Sequence, residues 1–168
     1  VVDDIMSRLK FAKPNVFKKS FARKNIAYMV RKCENKETQM ITILGKVSGS
    51  TLVYVRNRKR TREYAEFLLR NGISAAYFHA GLSTREKDAI QAAWTENKIR
   101  VIVCTNAFGM GIDKPDVRLV IHMDAPDSLE AYFQEAGRAG RDEKPAYAVF
   151  LWSEADKAKL RKTIANSY

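Results

Sequence analysis

The stretch Gln134 to Asp142 reads QEAGRAGRD and sets Arg138 and Arg141 one helical turn apart at the end of an amphipathic segment. A guanidinium is always charged and carries a planar fork of donors that matches phosphoryl oxygens. Such a pair therefore suits the holding of phosphate, or stabilisation of the charge that develops during phosphoryl transfer. Gly137 and Gly140 bear no side chains and are expected to let a ligand or a neighbouring domain approach the two arginines, which should be presented, not buried. The commonplace alternative is a solvated basic helix end pairing with Glu130 or Glu135. The glycines and the blocks described below weigh against it.

These arginines need a rigid support. Leu129, Tyr132, Phe133 and Ala136 follow the spacing of a buried helical stripe, and Asp127 with Glu130 has capping-box spacing after Pro126. From Met40 onward short apolar runs alternate with amphipathic stretches, the pattern of an α/β domain with a mostly parallel central sheet covered by helices on both faces. Met40, Ile43, Leu44 and Val47 form one helical stripe, and Thr51 to Val55 (TLVYV) a strand. Tyr64, Ala65, Leu68 and Leu69 lie on one side of a helix stopped by Asn71 and Gly72. Further strands are expected at Ala75 to Phe78, Val101 to Thr105, Leu119 to His122 and Tyr147 to Leu151. Ser83 and Glu86 have capping-box spacing ahead of Ala89, Ile90, Ala93 and Trp94. A terminal helix is expected from about Ser153. Before Met40 the pattern suggests a helix at Val2 to Leu9, a loop around Pro14, and strands at Val16 to Phe17 and Ile26 to Val30.

In an open parallel sheet, ligands gather beyond the carboxyl ends of the strands. Arg56 to Arg58, His79 to Gly81 and Thr105 to Asp113 each follow a strand directly. Singly these residues have ordinary readings: His79 as a loop histidine, Asn57 as a helix cap, and Asp113 as a turn residue before Lys114 and Pro115.

The chain has 168 residues, 46% of them hydrophobic, and can bury roughly two thirds of its unfolded surface, enough for one core. Thirty Lys and Arg against nineteen Asp and Glu give a formal charge of +11, which favours a polyanionic partner, nucleic acid first. Cys33 and Cys104 have no metal-ligand spacing and read as reduced thiols of an intracellular protein, so no metal site is expected. No run approaches membrane-spanning length, and the opening VVDDIMSRLK has neither an initiator methionine nor a signal block. The chain reads as a segment of something larger.

In order and interval, STLVYVRNR, AAYFHAGL, VIVCTNAFGMGIDKPDVRLVIH and YFQEAGRAGRD resemble motif IV, the block after it, motif V and motif VI of superfamily 2 helicases. FGMGIDKPDVR together with QEAGRAGRD resembles the RecQ family in particular. SFARKN, at Ser20 to Asn25, is similar to the family's lead into this domain. The likeness runs from near Val1 to about Leu160 and is strongest from Gly49 to Tyr147. Departures are Lys24 where Pro is usual, Asn57 for Ser, Asn106 for a small or apolar residue, and Glu143 for Gly.

The resemblance implies a three-layer RecA-like domain over residues 31–168, preceded by a linker at 1–30 from an absent ATPase domain. It implies the second motor domain of a three-prime to five-prime ATP-dependent DNA helicase. Arg141 would be the arginine finger with Arg138 beside it, and Gln134 would orient water or relay between domains. Gly111 and Asp113 would face the ribose side of the nucleotide. Asn57, Arg58, His79, Gly81, Thr105 and Asn106 would grip the sugar-phosphate backbone of single-stranded or partly duplex DNA. The phosphate loop GxxxxGK(S/T) does not occur; the one Gly-Lys pair, Gly45 and Lys46, lacks its surrounding pattern, and no Walker B acidic pair follows an apolar strand. ATP and Mg²⁺ would thus be held mainly by the preceding RecA-like domain, and zinc only by a downstream module, leaving this segment inactive alone. The alternatives are the RecA-like domain of another superfamily 2 nucleic-acid translocase or RNA helicase, and a stand-alone nucleic-acid-binding module.

Overall fold

A computed structural model describes residues 23–105 and 114–156. The expected helix at Val2 to Leu9, the loop at Pro14, the strand at Val16 to Phe17 and the Gly-rich segment 106–113 lie outside these residues. So does the terminal helix beyond Asp156.

The described chain runs β1 (Ile26–Lys32), α1 (Lys36–Lys46), β2 (Ser50–Tyr54), α2 (Arg58–Arg70), β3 (Ala75–Phe78), α3 (Thr84–Thr95), β4 (Val101–Cys104), β5 (Val117–His122), α4 (Leu129–Ala136) and β6 (Ala146–Trp152). The six strands form one sheet in the order β1-β6-β5-β2-β4-β3, and every pairing is parallel. β1 pairs with β6 along its whole length, from Ile26 opposite Ala146 to Lys32 opposite Trp152. The division after residue 30 falls inside this strand.

The central strands are apolar on both faces, as a sheet covered by helices on both sides requires. Leu52, Tyr54, Ile102, Cys104 and Val120 pack with Trp94 of α3 and with Tyr132, Phe133 and Ala136 of α4. The alternate residues Val53, Val101, Val103, Leu119 and Ile121 pack with Met40 and Leu44 of α1 and with Tyr64, Ala65 and Leu68 of α2. Three layers result. The Ser83–Glu86 capping box forms as expected, and Asn71 caps α2 before Gly72 at φ +76°.

Two readings of the helices need correcting. Leu69 is 54% exposed, because the buried stripe of α2 is Thr61, Tyr64, Ala65 and Leu68, and the next residue is turned about 100° away from it. The N-cap of α4 is Ser128, whose side chain accepts from the Ala131 N–H at 3.0 Å. Asp127 is instead drawn outward to the Arg56 guanidinium.

Among the described residues no helix is long and apolar enough to cross a membrane, and no group of His, Cys, Asp or Glu could hold a metal ion.

Candidate functional site

Tyr54, His122 and Cys104 end β2, β5 and β4 at the carboxyl edge of the sheet. A cavity of about 330 Å³ opens there against α4. Its floor is aromatic: the Tyr54 and His122 rings stack with centroids 5.0 Å apart, and Tyr132 tilts against His122 at 4.8 Å. His122 is 1% exposed, and its Nε2 lies 3.1 Å from Glu135 Oε1. Burial pushes the Tyr54 hydroxyl well above its ordinary range, with Cys104 adding to the shift and Arg138 opposing it. Burial also drives the Cys104 thiol well up, so this cysteine is a packing group and no nucleophile.

The rim is built from two loops, β2 to α2 and β5 to α4, joined by ion pairs. Arg60 Nη1 reaches Asp124 Oδ1 at 2.9 Å, and the Arg56 N–H donates to Asp124 Oδ2 at 3.0 Å. The Arg56 side chain binds Asp127 and donates to Ala125 O at 2.9 Å. Desolvation lowers the pKa of Arg60, but the Asp124 and Tyr64 oxygens outweigh it and the net shift is upward. Asp124, Asp127 and Glu135 are thus each tied to a donor, and the wall is not an acidic one.

Of the residues expected at a site, Gln134, Arg138 and Thr105 line this cavity together. Gln134 is exposed on its lip, whereas Thr105 is 9% exposed. The two arginines do not share a helix end. α4 stops at Ala136, and the chain continues through tighter turns in which the Arg138 N–H bonds Glu135 O and the Ala139 N–H bonds Ala136 O. Gly140, at φ +59°, then swings the backbone so that its N–H meets Val117 O at 2.8 Å, and the Asp142 N–H meets Pro115 O at 3.0 Å. Arg138 is therefore half-buried in the cavity wall, contrary to the expectation that both arginines would be presented, while Arg141 is exposed beyond the turn.

The glycines serve local packing before any ligand. A Cβ on Gly137 would stand 2.8 Å from Phe133 O, and one on Gly140 would run into the Asn25 amide and come within 3.0 Å of Lys144 O. Arg118 Nη2 holds Asp142 Oδ1 at 2.6 Å. Desolvation would raise the pKa of Asp142, but Arg118 and the Lys144 N–H hold it below the usual carboxylate value.

A second group stands farther along the same edge. The Gly81 N–H donates to His79 Nδ1 at 3.0 Å, and a Cβ on Gly81 would come within 3.0 Å of both Arg58 Nη1 and the His79 ring. Arg58, His79 and Gly81 thus form an open ledge at the ends of the β2 and β3 loops. Desolvation, and then the Arg58 charge, lower the pKa of His79 from 6.5. Asn57 caps α2: its Oδ1 accepts from the Lys59 N–H at 2.8 Å and the Arg60 N–H at 3.4 Å, so only its amide nitrogen could donate to a ligand. Asn106, Gly111 and Asp113 lie outside the described residues.

Sequence reasoning missed the His122–Glu135 pair, the Arg56, Arg60, Asp124 and Asp127 rim, and the contacts of Arg23 and Asn25 with the arginine turn. These contacts join positions from 13 to 119 residues apart, and a single sequence carries no local signal for such pairs. Arg56, Asp127, Glu135 and the SFARKN stretch each stand out in the sequence, but for other reasons and not for these contacts.

Residues 35–143 match the helicase conserved C-terminal domain family. The ATP-dependent DNA helicase RecQ of Pasteurella multocida is 42% identical over 162 residues, covering 96% of this chain and 26% of that protein. The RecQ-like DNA helicase blm-1 of Caenorhabditis elegans is 40% identical over 98% of this chain and 17% of its own length. The chain therefore spans about a quarter or less of these curated relatives. Among solved structures, the Escherichia coli DEAD-box protein SrmB superposes with a TM-score of 0.73 at 26% identity, covering 80% of this chain and 81% of that one. With its parallel RecA-like sheet and its identity to RecQ proteins along nearly the whole length, this chain belongs to the helicase conserved C-terminal domain family of superfamily 2, in its RecQ branch.

Proposed function

We propose that the chain is the second motor domain of an ATP-dependent DNA helicase of the RecQ type, translocating three-prime to five-prime, and that it completes the nucleotide site of a preceding RecA-like domain. The observation that carries this reading is the convergence of Gln134 and Arg138 on one cavity whose three carboxylates are each tied to a donor. Such a donor set fits one flank of a phosphate tail and does not repel it.

Arg141, exposed past the turn and outside the cavity lining, is suited to reach across a cleft as the arginine finger on the γ-phosphate. Arg138 supports it from the wall. Gln134, on the lip, orients water or relays between the domains, and Gly111 with Asp113 takes the ribose side. Bound ATP would supply the phosphoanhydride bond whose cleavage lets the cleft open, and Mg²⁺ the neutralising charge on its phosphates. The phosphate loop and the metal-holding acids belong to the preceding domain, so this chain by itself does not hydrolyse ATP. A zinc module downstream is part of the same reading. The protein works inside the cell, on DNA during repair or recombination.

The ledge of Arg58, His79 and Gly81 forms part of the single-stranded DNA track, with Asn57, Thr105 and Asn106 contributing along the edge. Charge, hydroxyl and backbone amide grip the sugar-phosphate chain without reading sequence. Alternate gripping on opening and closing of the cleft gives movement.

The test is DNA-stimulated ATP hydrolysis by the full-length parent, with and without Arg141→Ala, alongside nucleotide affinity. Turnover is expected to fall on the order of a thousandfold while ATP still binds. Undiminished turnover would remove the finger from Arg141 and the mechanism with it.

A further inference from the structure

The arginine turn is held from outside by one distant side chain. Arg23 Nη1 donates to Gly137 O at 3.1 Å and to Ala139 O at 3.2 Å, and Nη2 donates to Gly140 O at 3.0 Å. These carbonyls flank the arginines: Gly137 and Ala139 stand on either side of Arg138, and Gly140 immediately precedes Arg141. Asn25 Nδ2 adds donations to Gly140 O at 2.6 Å and Lys144 O at 2.9 Å.

The carbonyls at the end of a helix have no intrahelical donor and usually take one from the backbone that follows. Between Gly137 and Ala139 the backbone N–H groups bond locally, to Phe133, Glu135 and Ala136, and fix only the inner side of the turn. The Arg23 fork fixes its outer side. Its own base is fixed too: the Arg23 N–H donates to the Tyr28 hydroxyl at 3.1 Å, and the Tyr28 ring packs edge-on against Phe133 of α4 at 5.4 Å. The Ala146 N–H, at the start of β6, bonds Asn25 O at 3.0 Å. Lysine could not reproduce this contact, since a single ammonium lacks a planar fork that spans three carbonyls.

We propose that Arg23 is a positioning residue for the phosphate-directed arginines: it sets the peptide planes around Arg138 and before Arg141, and so the directions in which their side chains leave the backbone. The inference rests on the proposed function. It gives the segment just before β1 a part in turnover without any contact of its own with nucleotide or DNA.

The experiment uses the full-length parent protein and compares Arg23→Ala, Arg23→Lys, Arg141→Ala and the double variant Arg23→Ala with Arg141→Ala in DNA-stimulated ATP turnover. For Arg23→Ala, kcat is expected to fall on the order of a hundredfold, as for a displaced reacting group, with the KM for ATP unchanged. Arg23→Lys should fall between Arg23→Ala and wild type. The double variant should lose less than the product of the two single losses, because an arginine already removed cannot also be misplaced and only the part of the Arg23 effect that runs through Arg138 remains. Wild-type turnover by the Arg23 variants beside an inert Arg141→Ala overturns the positioning role and leaves the functional reading standing; so does an additive further loss in the double variant. Should Arg23→Ala fail to fold, Arg23→Lys, alone and combined with Arg141→Ala, is read by the same two criteria. Normal turnover by Arg141→Ala overturns both the reading and the inference.

Discussion

The cavity under α4 and the ledge at the end of β3 lie on the same carboxyl edge of the sheet and were expected to serve the same motor, yet their chemistry differs. The cavity is walled, and its rim charges are balanced. Its rim is held by paired charges, Arg60 with Asp124 and Arg56 with Asp127, and its floor of Tyr54 and His122 is buried. The ledge is open and mainly basic: desolvation and then the Arg58 charge oppose protonation of His79, with Glu86 working against them. A wall that must hold an arginine at a set place is built from compensated charges in a packed surround, where geometry is rigid. A surface that must take hold of a polyanion and release it leaves its charge uncompensated and in water, where binding depends on salt.

Core truncation should give the largest contrast. Tyr132→Ala removes a fully buried ring from beneath the cavity and is expected to cost about 3–5 kcal/mol, read by thermal or denaturant unfolding. Tyr77→Ala, under the ledge and only half-buried, should cost clearly less; equal losses would erase the distinction.

The rim comes next. Asp124→Ala leaves the partly buried Arg60 guanidinium and the Arg56 N–H without their acceptor and should cost about 2 kcal/mol. Single-stranded DNA affinity, measured on the full-length protein, should stay within about twofold, since the substitution touches only the cavity side.

Arg58→Ala should do the reverse. Stability is expected to move by less than about 0.5 kcal/mol, while affinity for a single strand drops about tenfold and the slope of log K against log salt becomes shallower by about 0.7. A change in unfolding with no change in salt slope would make Arg58 a structural residue.

The smallest effect is one of pH. Because the folded-state pKa of His79 lies below 6.5, the folded chain binds fewer protons than the unfolded chain between the two values. Stability therefore rises with pH across that window and declines as pH falls below 6.5. A phosphate at the ledge would reverse the shift. Proton uptake on DNA binding, and affinity that strengthens as pH falls through 6.5, are the expected signs in an imidazole NMR titration with and without a single strand. No change in the His79 titration on adding DNA would take the ledge off the track.

Periodicity and turn chemistry alone determined most of the architecture. β2 to β6 and the helices between them lie within a residue or two of the sequence reading, because a parallel sheet covered on both faces writes itself as apolar runs, and helices as stripes. The likeness to RecQ motifs named the family. What the sequence left open was decided by contacts between distant residues. Asp127 had local capping spacing, yet it pairs with Arg56 while Ser128 caps α4. Arg138 and Arg141 had helical spacing, yet Gly140 and the Arg23 fork part them, sending one into a wall and the other outward. Hydrogen bonds and ion pairs reward closeness in space, and closeness between residues 71 or 117 positions apart exists only once the sheet has brought them together.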